Sequence, residues 1–430
     1  MPKPPPLSIL PLSSVLRSLM VTSISSSPFL FPISLAITAK LAHSTNPVLN
    51  PDSNPILRFV LKHTFYRQFC AGENPKEVRQ TIDGLKNLGF KGVILGYARE
   101  VVMEESAADE LKSCGKDELA EACIRKEIIP WAKGSLETVK LASPGDFVAL
   151  KFTGAGSQAL YDLKQQAPSS PALKEAIDSI CDLASARGIR LLFDAEQQAI
   201  QAGIDSWTLD YMRKYNGKTP GKAVVYGTYQ AYLKATPSIL ASHLAVARKE
   251  NLTLGVKLVR GAYLGSDPRH LIHDTKADTD NAYNGIAAAL AKRAYGPPLQ
   301  AEKGETTFPP VNVVLAGHNH TSVRKIQDLR TTQAQRGEEQ TDLVYAQLQG
   351  MADEISCELV QAGKIDSAKS NVDIPKAYKY LVWGTSGECL KYLLRRANEN
   401  KEAAQRTMEG RDAMARELVR RVKARFGLSS

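Results

Sequence analysis

The chain has 430 residues, 43% hydrophobic and 23% charged, which excludes wholesale disorder and leaves room for a large core. A net charge of +10 is spread along the chain without aromatic residues interleaved among the basic ones, which argues against a nucleic-acid platform. The six cysteines show no CxxC or CxxH spacing, so they read as reduced thiols, not as a zinc site.

The first 51 residues contain Lys3, Arg17 and Lys40 and no acidic residue. Between Arg17 and Lys40 lie 22 uncharged residues, long enough to span a bilayer. Pro28, Pro32 and a load of serines make a poor spanning helix. An acid-free, Ser-rich leader fits an organelle transit segment better. Residues 1–45 are therefore expected to be a mitochondrial leader or membrane-contact segment, and 46–430 the folded domain. The Pro/Asn cluster "NPVLNPDSNP" marks the boundary.

Eight short apolar runs follow, starting at Gly92, Asp146, Ile189, Ala223, Thr253, Val311, Leu343 and Tyr378. Amphipathic stretches such as "SPALKEAIDSICDLASARG" separate them, and this alternation implies parallel strands with crossover helices. Polar residues close most runs: Lys151, Asp194, Gln230, Arg260, His318 and Gln347. In a (β/α)8 barrel such residues ring one mouth, whereas a doubly wound sheet would gather them at a switch point. The pattern favours a barrel with an N-terminal helical arm. Two charged stretches, 104–134 and 330–342, are expected to be surface insertions or loops.

"LLFDAEQQAI" places Asp194 and Glu196 at the end of a buried run, as site carboxylates or as a helix cap. "GVKLVRGAYLGSDPR" is denser. Lys257 and Val259 share one strand face, Leu258 and Arg260 the other, and Gly261 permits close backbone approach. Two cations in an apolar strand call for an anion or an electron-rich ring. His318 and His320 in "VVLAGHNHTSV" point to opposite faces of an extended strand, a poor arrangement for one metal ion. "FTGAGSQAL" is a weak dinucleotide fingerprint and reads as a tight turn. In "YLLRRANEN", Glu399 is spaced to pair with Arg395 or Arg396, which alone is a surface ion-pair cluster.

Taken in order, "ALKFT", "FDAE", "YQAYL", "KLVRGAY", "HN", "QLQGM" and "YLLRRANEN" resemble the successive signatures of the proline dehydrogenase (proline oxidase) family, and "FYRQFCAGE" resembles its eukaryotic, especially fungal, forms. The resemblance covers roughly residues 55–405. It implies a distorted (β/α)8 barrel that binds FAD without a covalent link, with a last helix over the barrel mouth. It further implies hydride transfer from C5 of L-proline to flavin N5, giving 1-pyrroline-5-carboxylate on the way to glutamate. Electrons would pass to ubiquinone, with peripheral association on the matrix side of the mitochondrial inner membrane.

By the same resemblance, Lys151, Arg395 and Arg396 hold the substrate carboxylate, and Tyr263, Leu348 and Tyr380 enclose its ring. Asp194 lies beside Lys151 and orients the site, while Lys257 and Arg260 stabilise reduced flavin. Gln230, Val259, Gly261 and Ala262 contact FAD with these two cations. So do His318, Asn319 and Glu399, with Leu264, Thr275 and Lys276 as further contacts. Gly317 stands where a threonine is usual, leaving one cofactor bond missing or supplied by backbone, and Trp383 also departs from the common pattern. The alternatives are a hydroxyproline dehydrogenase of the same fold, disfavoured by the bulk of Tyr380, and a barrel lyase or aldolase with Lys151 or Lys257 as Schiff base.

Overall fold

The structure is a computed structural model that describes residues 4–99, 118–304, 307–364, 372–399 and 404–427. Each of the eight apolar runs forms a strand: β1 Gly92–Tyr97, β2 Phe147–Leu150, β3 Arg190–Phe193, β4 Val225–Gln230, β5 Leu254–Val259, β6 Val311–Ala316, β7 Asp342–Leu348 and β8 Ala377–Trp383. They close in sequence order into one barrel, and the register is parallel wherever adjacent strands pair between β1 and β7. This is the expected (β/α)8 architecture and not an open doubly wound sheet. Strands β2 and β4 are buried along their whole length, as a barrel wall covered by helices requires.

Twelve helices matter to the argument: α1 Leu12–Ser25, α2 Leu30–Ala42, α3 Pro75–Leu88, α4 Ile129–Leu141, α5 Pro171–Ala186, α6 Gln198–Tyr215, α7 Thr236–Lys249, α8 Lys276–Lys292, α9 His320–Gln335, α10 Asp353–Gly363, α11 Ser386–Glu399 and α12 Ala404–Arg425. Local chemistry sets their ends. In α3, Pro75 opens the helix, Asn74 accepts the Glu77 N–H, and Gly89 closes it with φ at 109°. In α8, Thr275 and Asp278 form a reciprocal capping box.

Contacts divide the chain into two compact units. The first comprises Met1–Val93, Gln347–Ile365 and Pro375–Ser430. Within it, Val15 of α1 packs with Ala413 and Met414 of α12, Cys357 and Leu7. Arg421 Nη2 donates to the carbonyls of Leu7 (3.0 Å) and Leu10 (2.8 Å). Thus the described part of 1–45 is helical and packs within the first unit. No single described helix is long and apolar enough to cross a membrane; α1 and α2 together pass that test only as a pair bent by 98°.

The second unit comprises Ile94–Ala346 and Asp366–Ile374. Here the two expected surface stretches prove mixed: 336–339 is an exposed turn, as expected, but parts of both stretches are helical and buried. The described part of 104–134 is helical, and Trp131 is buried with its indole N–H on the Lys151 carbonyl at 3.0 Å. Arg330 lies in α9, fully buried, because Asp373 accepts from its Nε and Nη2 and the Thr341 carbonyl accepts from Nη1. A charged residue looks like surface in sequence; a buried bidentate pair places Arg330 in the core. Cys70, Cys181, Cys357 and Cys389 are buried thiols, but Cys123 is disulfide-bonded, since chain spacing says nothing about pairing in space.

Candidate functional site

Register gathers the strand-end polar residues. The pairing Leu150↔Phe193, continued by one residue, sets Lys151 level with Asp194. Phe193↔Gly227 likewise sets Asp194 level with Thr228, and Thr228 pairs with Lys257. Side-chain direction follows from the neighbours of Thr228. A Cβ on Gly227 would sit 3.2 Å from Thr208 of α6, and the Tyr229 hydroxyl bonds His243 of α7 at 2.8 Å. Both face the outer helices, so Thr228 points into the barrel.

Lys257 Nζ forms an ion pair with Asp194, and each side chain is only 7% exposed. Two charges buried this deeply are tolerated only as a pair. The resemblance places Asp194 beside Lys151; in the structure its carboxylate binds Lys257. Thr228, beside both, is 7% exposed and its Oγ1 has no hydrogen-bond partner. An orphan hydroxyl next to a buried ion pair is a group ready to meet a bound molecule. Sequence reading missed it because a threonine inside a strand looks like ordinary β-propensity.

Glu196 ties the strand ends together. Its carboxylate accepts the Thr153 N–H at 3.1 Å and the Thr153 hydroxyl. Its own N–H donates to Gln201 Oε1 at 2.9 Å, and its carbonyl accepts from Gln230 Nε2 at 3.3 Å. Gln230 Oε1 in turn accepts the Ala262 N–H at 3.2 Å. Beyond Gln201, whose amide donates to Asp205 at 2.8 Å, burial pushes the Asp205 carboxyl up to about 7 despite that bond. The folded chain then holds a proton that an unfolded aspartate releases near pH ~4. Stability is therefore lost as pH rises from about 4 through about 7. Asp205→Asn should raise the melting temperature near pH 8 and flatten this dependence. An equal shift at pH 5 and pH 8 in thermal melts would contradict it.

Arg260 leaves the strand towards β6. Its Nε donates to Asp280 at 3.0 Å, its Nη2 to Ser322 at 2.7 Å, and the guanidinium lies 4.2 Å from the Tyr283 ring centroid. Burial pulls the Asp280 carboxyl up, but bonds from Lys276 and Arg260 hold it below the usual range. Burial pushes the Tyr283 phenol up to about 12, with Arg260 opposing. A Cβ on Gly317 would lie 3.3 Å from the Tyr283 hydroxyl and 3.4 Å from Arg260 Nη1, so the residue usual at this place would crowd both.

The other expected contacts sort by setting. Gly261 is needed against a ring: a Cβ there would meet Tyr232 at 2.3 Å. Tyr232 donates to Asp267, which also accepts the Gln198 N–H at 3.0 Å, so the loop after β5 is clamped. Tyr263 is buried, Val259 and Ala262 are half-buried, and Leu264 is exposed. His318 is half-buried ahead of Asn319, which caps α9 by accepting the Ser322 N–H at 3.0 Å. Thr275 caps α8, and Lys276 pairs with Asp280 at 2.5 Å; both are exposed. "FTGAGSQAL" is a turn: Phe152–Ala155 form a 3-10 turn, and Glu127 accepts the Ser157 N–H at 2.7 Å, where a dinucleotide phosphate would bind.

In the first unit, Leu348 and Tyr380 are half-buried, with the Gln349 N–H on the Tyr380 carbonyl at 2.9 Å. Lys379, which sequence reading overlooked, is buried with Nζ 2.7 Å from Asp353 and 3.0 Å from the Met351 carbonyl. It pins the turn after β7. Helix α11 starts in a capping box: Thr385 N–H on Glu388, Glu388 N–H on Thr385, and Gly387 N–H on Asp52 at 2.9 Å. Arg395 and Arg396 are half-buried on this helix, and the Arg396 guanidinium lies 5.7 Å from the Tyr392 ring centroid. The Glu399 side chain lies outside the described residues.

Comparison with known proteins agrees in fold and sequence. The family model described as Proline dehydrogenase matches residues 78–409. A protein of Schizosaccharomyces pombe named "Probable proline dehydrogenase, mitochondrial" is 33% identical over 96% of this chain and 89% of its own length. The mouse "Hydroxyproline dehydrogenase" is 27% identical over 85% of this chain and 83% of its own. Among solved structures, proline utilization A (PutA) from Bdellovibrio bacteriovorus, inactivated by N-propargylglycine, aligns with TM-score 0.63 at 17% identity. That alignment covers 89% of this chain but 38% of the PutA chain, and it speaks to fold.

Proposed function

From the membership of this chain in the proline dehydrogenase family, we propose that it is a mitochondrial enzyme oxidising L-proline to 1-pyrroline-5-carboxylate with FAD as cofactor. The observation that carries this is the buried Asp194–Lys257 pair on the inner barrel face, with the unpartnered Thr228 hydroxyl beside it. These residues fit a flavin: a fixed cation, an orphan polar atom, and the Gln230 amide at the strand ends. FAD, when bound, supplies the hydride acceptor.

The chain's own residues orient and tune. Lys257, held as an ammonium by Asp194, presents fixed positive charge where negative charge develops on reduction. Arg260 adds a second cation, anchored by Asp280 and Ser322. Lys151, Arg395 and Arg396 bind the substrate carboxylate, and arginine's planar fork suits that task. Tyr263, Leu348 and Tyr380 enclose the ring. Gln230, Val259, Gly261, Ala262, His318, Asn319 and Glu399 contact the cofactor; Gly317 offers backbone only. Thr275, Lys276 and Leu264 serve at most its outer part, since all three are exposed. Carbon–hydrogen cleavage needs a neutral substrate amine, and the neighbouring cations favour loss of its proton.

A Schiff-base lyase is disfavoured at Lys257, because a nucleophilic lysine must be neutral and this one is ion-paired. Incubation with L-proline and a soluble quinone should yield a cyclic imine two hydrogens lighter than proline. Equal turnover of 4-hydroxyproline, or no product, would overturn the assignment.

Ubiquinone is the proposed acceptor, with peripheral attachment to the inner membrane. Helix α2 is apolar on both sides. It packs on α11 yet leaves Leu30, Ile33 and Ile37 exposed, with Phe29 just ahead 74% exposed. A helix apolar all round belongs in a core or at a lipid surface. Ile33→Ser/Ile37→Ser should reduce sedimentation with anionic vesicles; unchanged sedimentation would refute this contact.

A further inference from the structure

We propose that Glu196 is a positioning residue for Lys151, acting through Thr153; this rests on the reading that Lys151 binds the substrate carboxylate. Glu196 is 2% exposed, and burying a carboxylate is costly unless it is fully bonded. Capping does not explain it: the N-cap of α6 is Gln197, with no side-chain cap bond. Both carboxylate oxygens instead bond Thr153, one accepting its N–H and the other its hydroxyl. Thr153 lies two residues after Lys151, and the Lys151 carbonyl is gripped separately by the Trp131 indole at 3.0 Å.

The backbone around Lys151 is therefore fixed by two buried side chains from different elements. A lysine has four rotatable bonds and brings little geometry of its own. Where its ammonium reaches depends on where the main chain holds its Cα. The Glu196–Thr153 bonds set that point. Because the Gln230 amide bonds the Glu196 carbonyl, a main-chain atom, loss of the carboxylate should leave the Gln230–Ala262 link in place. Substrate binding is thus separable from cofactor binding.

The experiment is steady-state kinetics and flavin content of the full-length FAD-loaded protein. Glu196→Ala should raise the proline KM on the order of tenfold, with kcat within about threefold and flavin content unchanged. Glu196→Gln should restore KM, since its amide oxygen accepts the Thr153 N–H and its amide nitrogen donates to the hydroxyl. In a Lys151→Met background, Glu196→Ala should add less than about twofold, as expected for residues acting in series. Should Glu196→Ala fail to fold, Thr153→Val carries the test, with a KM increase of roughly threefold.

Additive effects of Glu196→Ala and Lys151→Met, an unchanged KM in Glu196→Ala, or failure of Glu196→Gln to restore it would each overturn the proposal. A normal KM in Lys151→Met alone would instead refute the carboxylate role of Lys151 on which it stands.

Discussion

Lys257→Met should lower kcat by about 10²–10³-fold, the scale on which a preorganised charge at a reaction centre acts. The same change takes one cation away from the buried Asp194 carboxylate, so stability should fall by up to about 3–5 kcal/mol. The two losses can be told apart. The double variant Lys257→Met/Asp194→Asn removes both charges and should recover most of the stability while turnover stays low. Chemical denaturation and single-turnover kinetics on the same preparations check this. Recovery of turnover in the double variant would show that Lys257 serves only to neutralise Asp194.

The second large effect is on substrate affinity. Arg395→Met and Arg396→Met should each raise the proline KM by tenfold to a hundredfold, matching loss of a charged hydrogen bond at about 1.5–3 kcal/mol. Flavin content should stay near normal, and lysine at either position should recover only part of the loss, because an ammonium cannot reproduce a bidentate fork. An unchanged KM in both methionine variants would remove the arginines from the substrate site.

The barrel was legible because its signal is periodic. Eight short apolar runs alternating with amphipathic stretches leave few topologies open, and each run begins within a residue or two of a strand. The polar strand ends were legible too, since a charged residue closing an apolar run is conspicuous. What sequence did not show is partnership. Asp194 and Lys257 are 63 positions apart, and only register makes them neighbours. Glu196 reads as a helix cap until Thr153 is seen to take both oxygens. Thr228 carries no sequence signal at all; its meaning comes from the inward face and the missing bond.

The charged stretches misled for the same reason in reverse. Arg330 looks solvated as part of a charged stretch, yet Asp373 pairs with it from 43 residues away. The N-terminal segment shows the limit of composition. It is free of acidic residues, and it also packs through Val15 and the carbonyls that Arg421 gathers.

We propose that the inner barrel face of this chain binds a flavin that takes hydride from proline. This is tested most directly by the visible absorption spectrum of the purified protein under anaerobic conditions. Oxidised-flavin bands should bleach on addition of L-proline, and fail to bleach at comparable rate in Lys257→Met. A protein that takes up no flavin when FAD is supplied, or whose flavin bands persist with L-proline present, would contradict it.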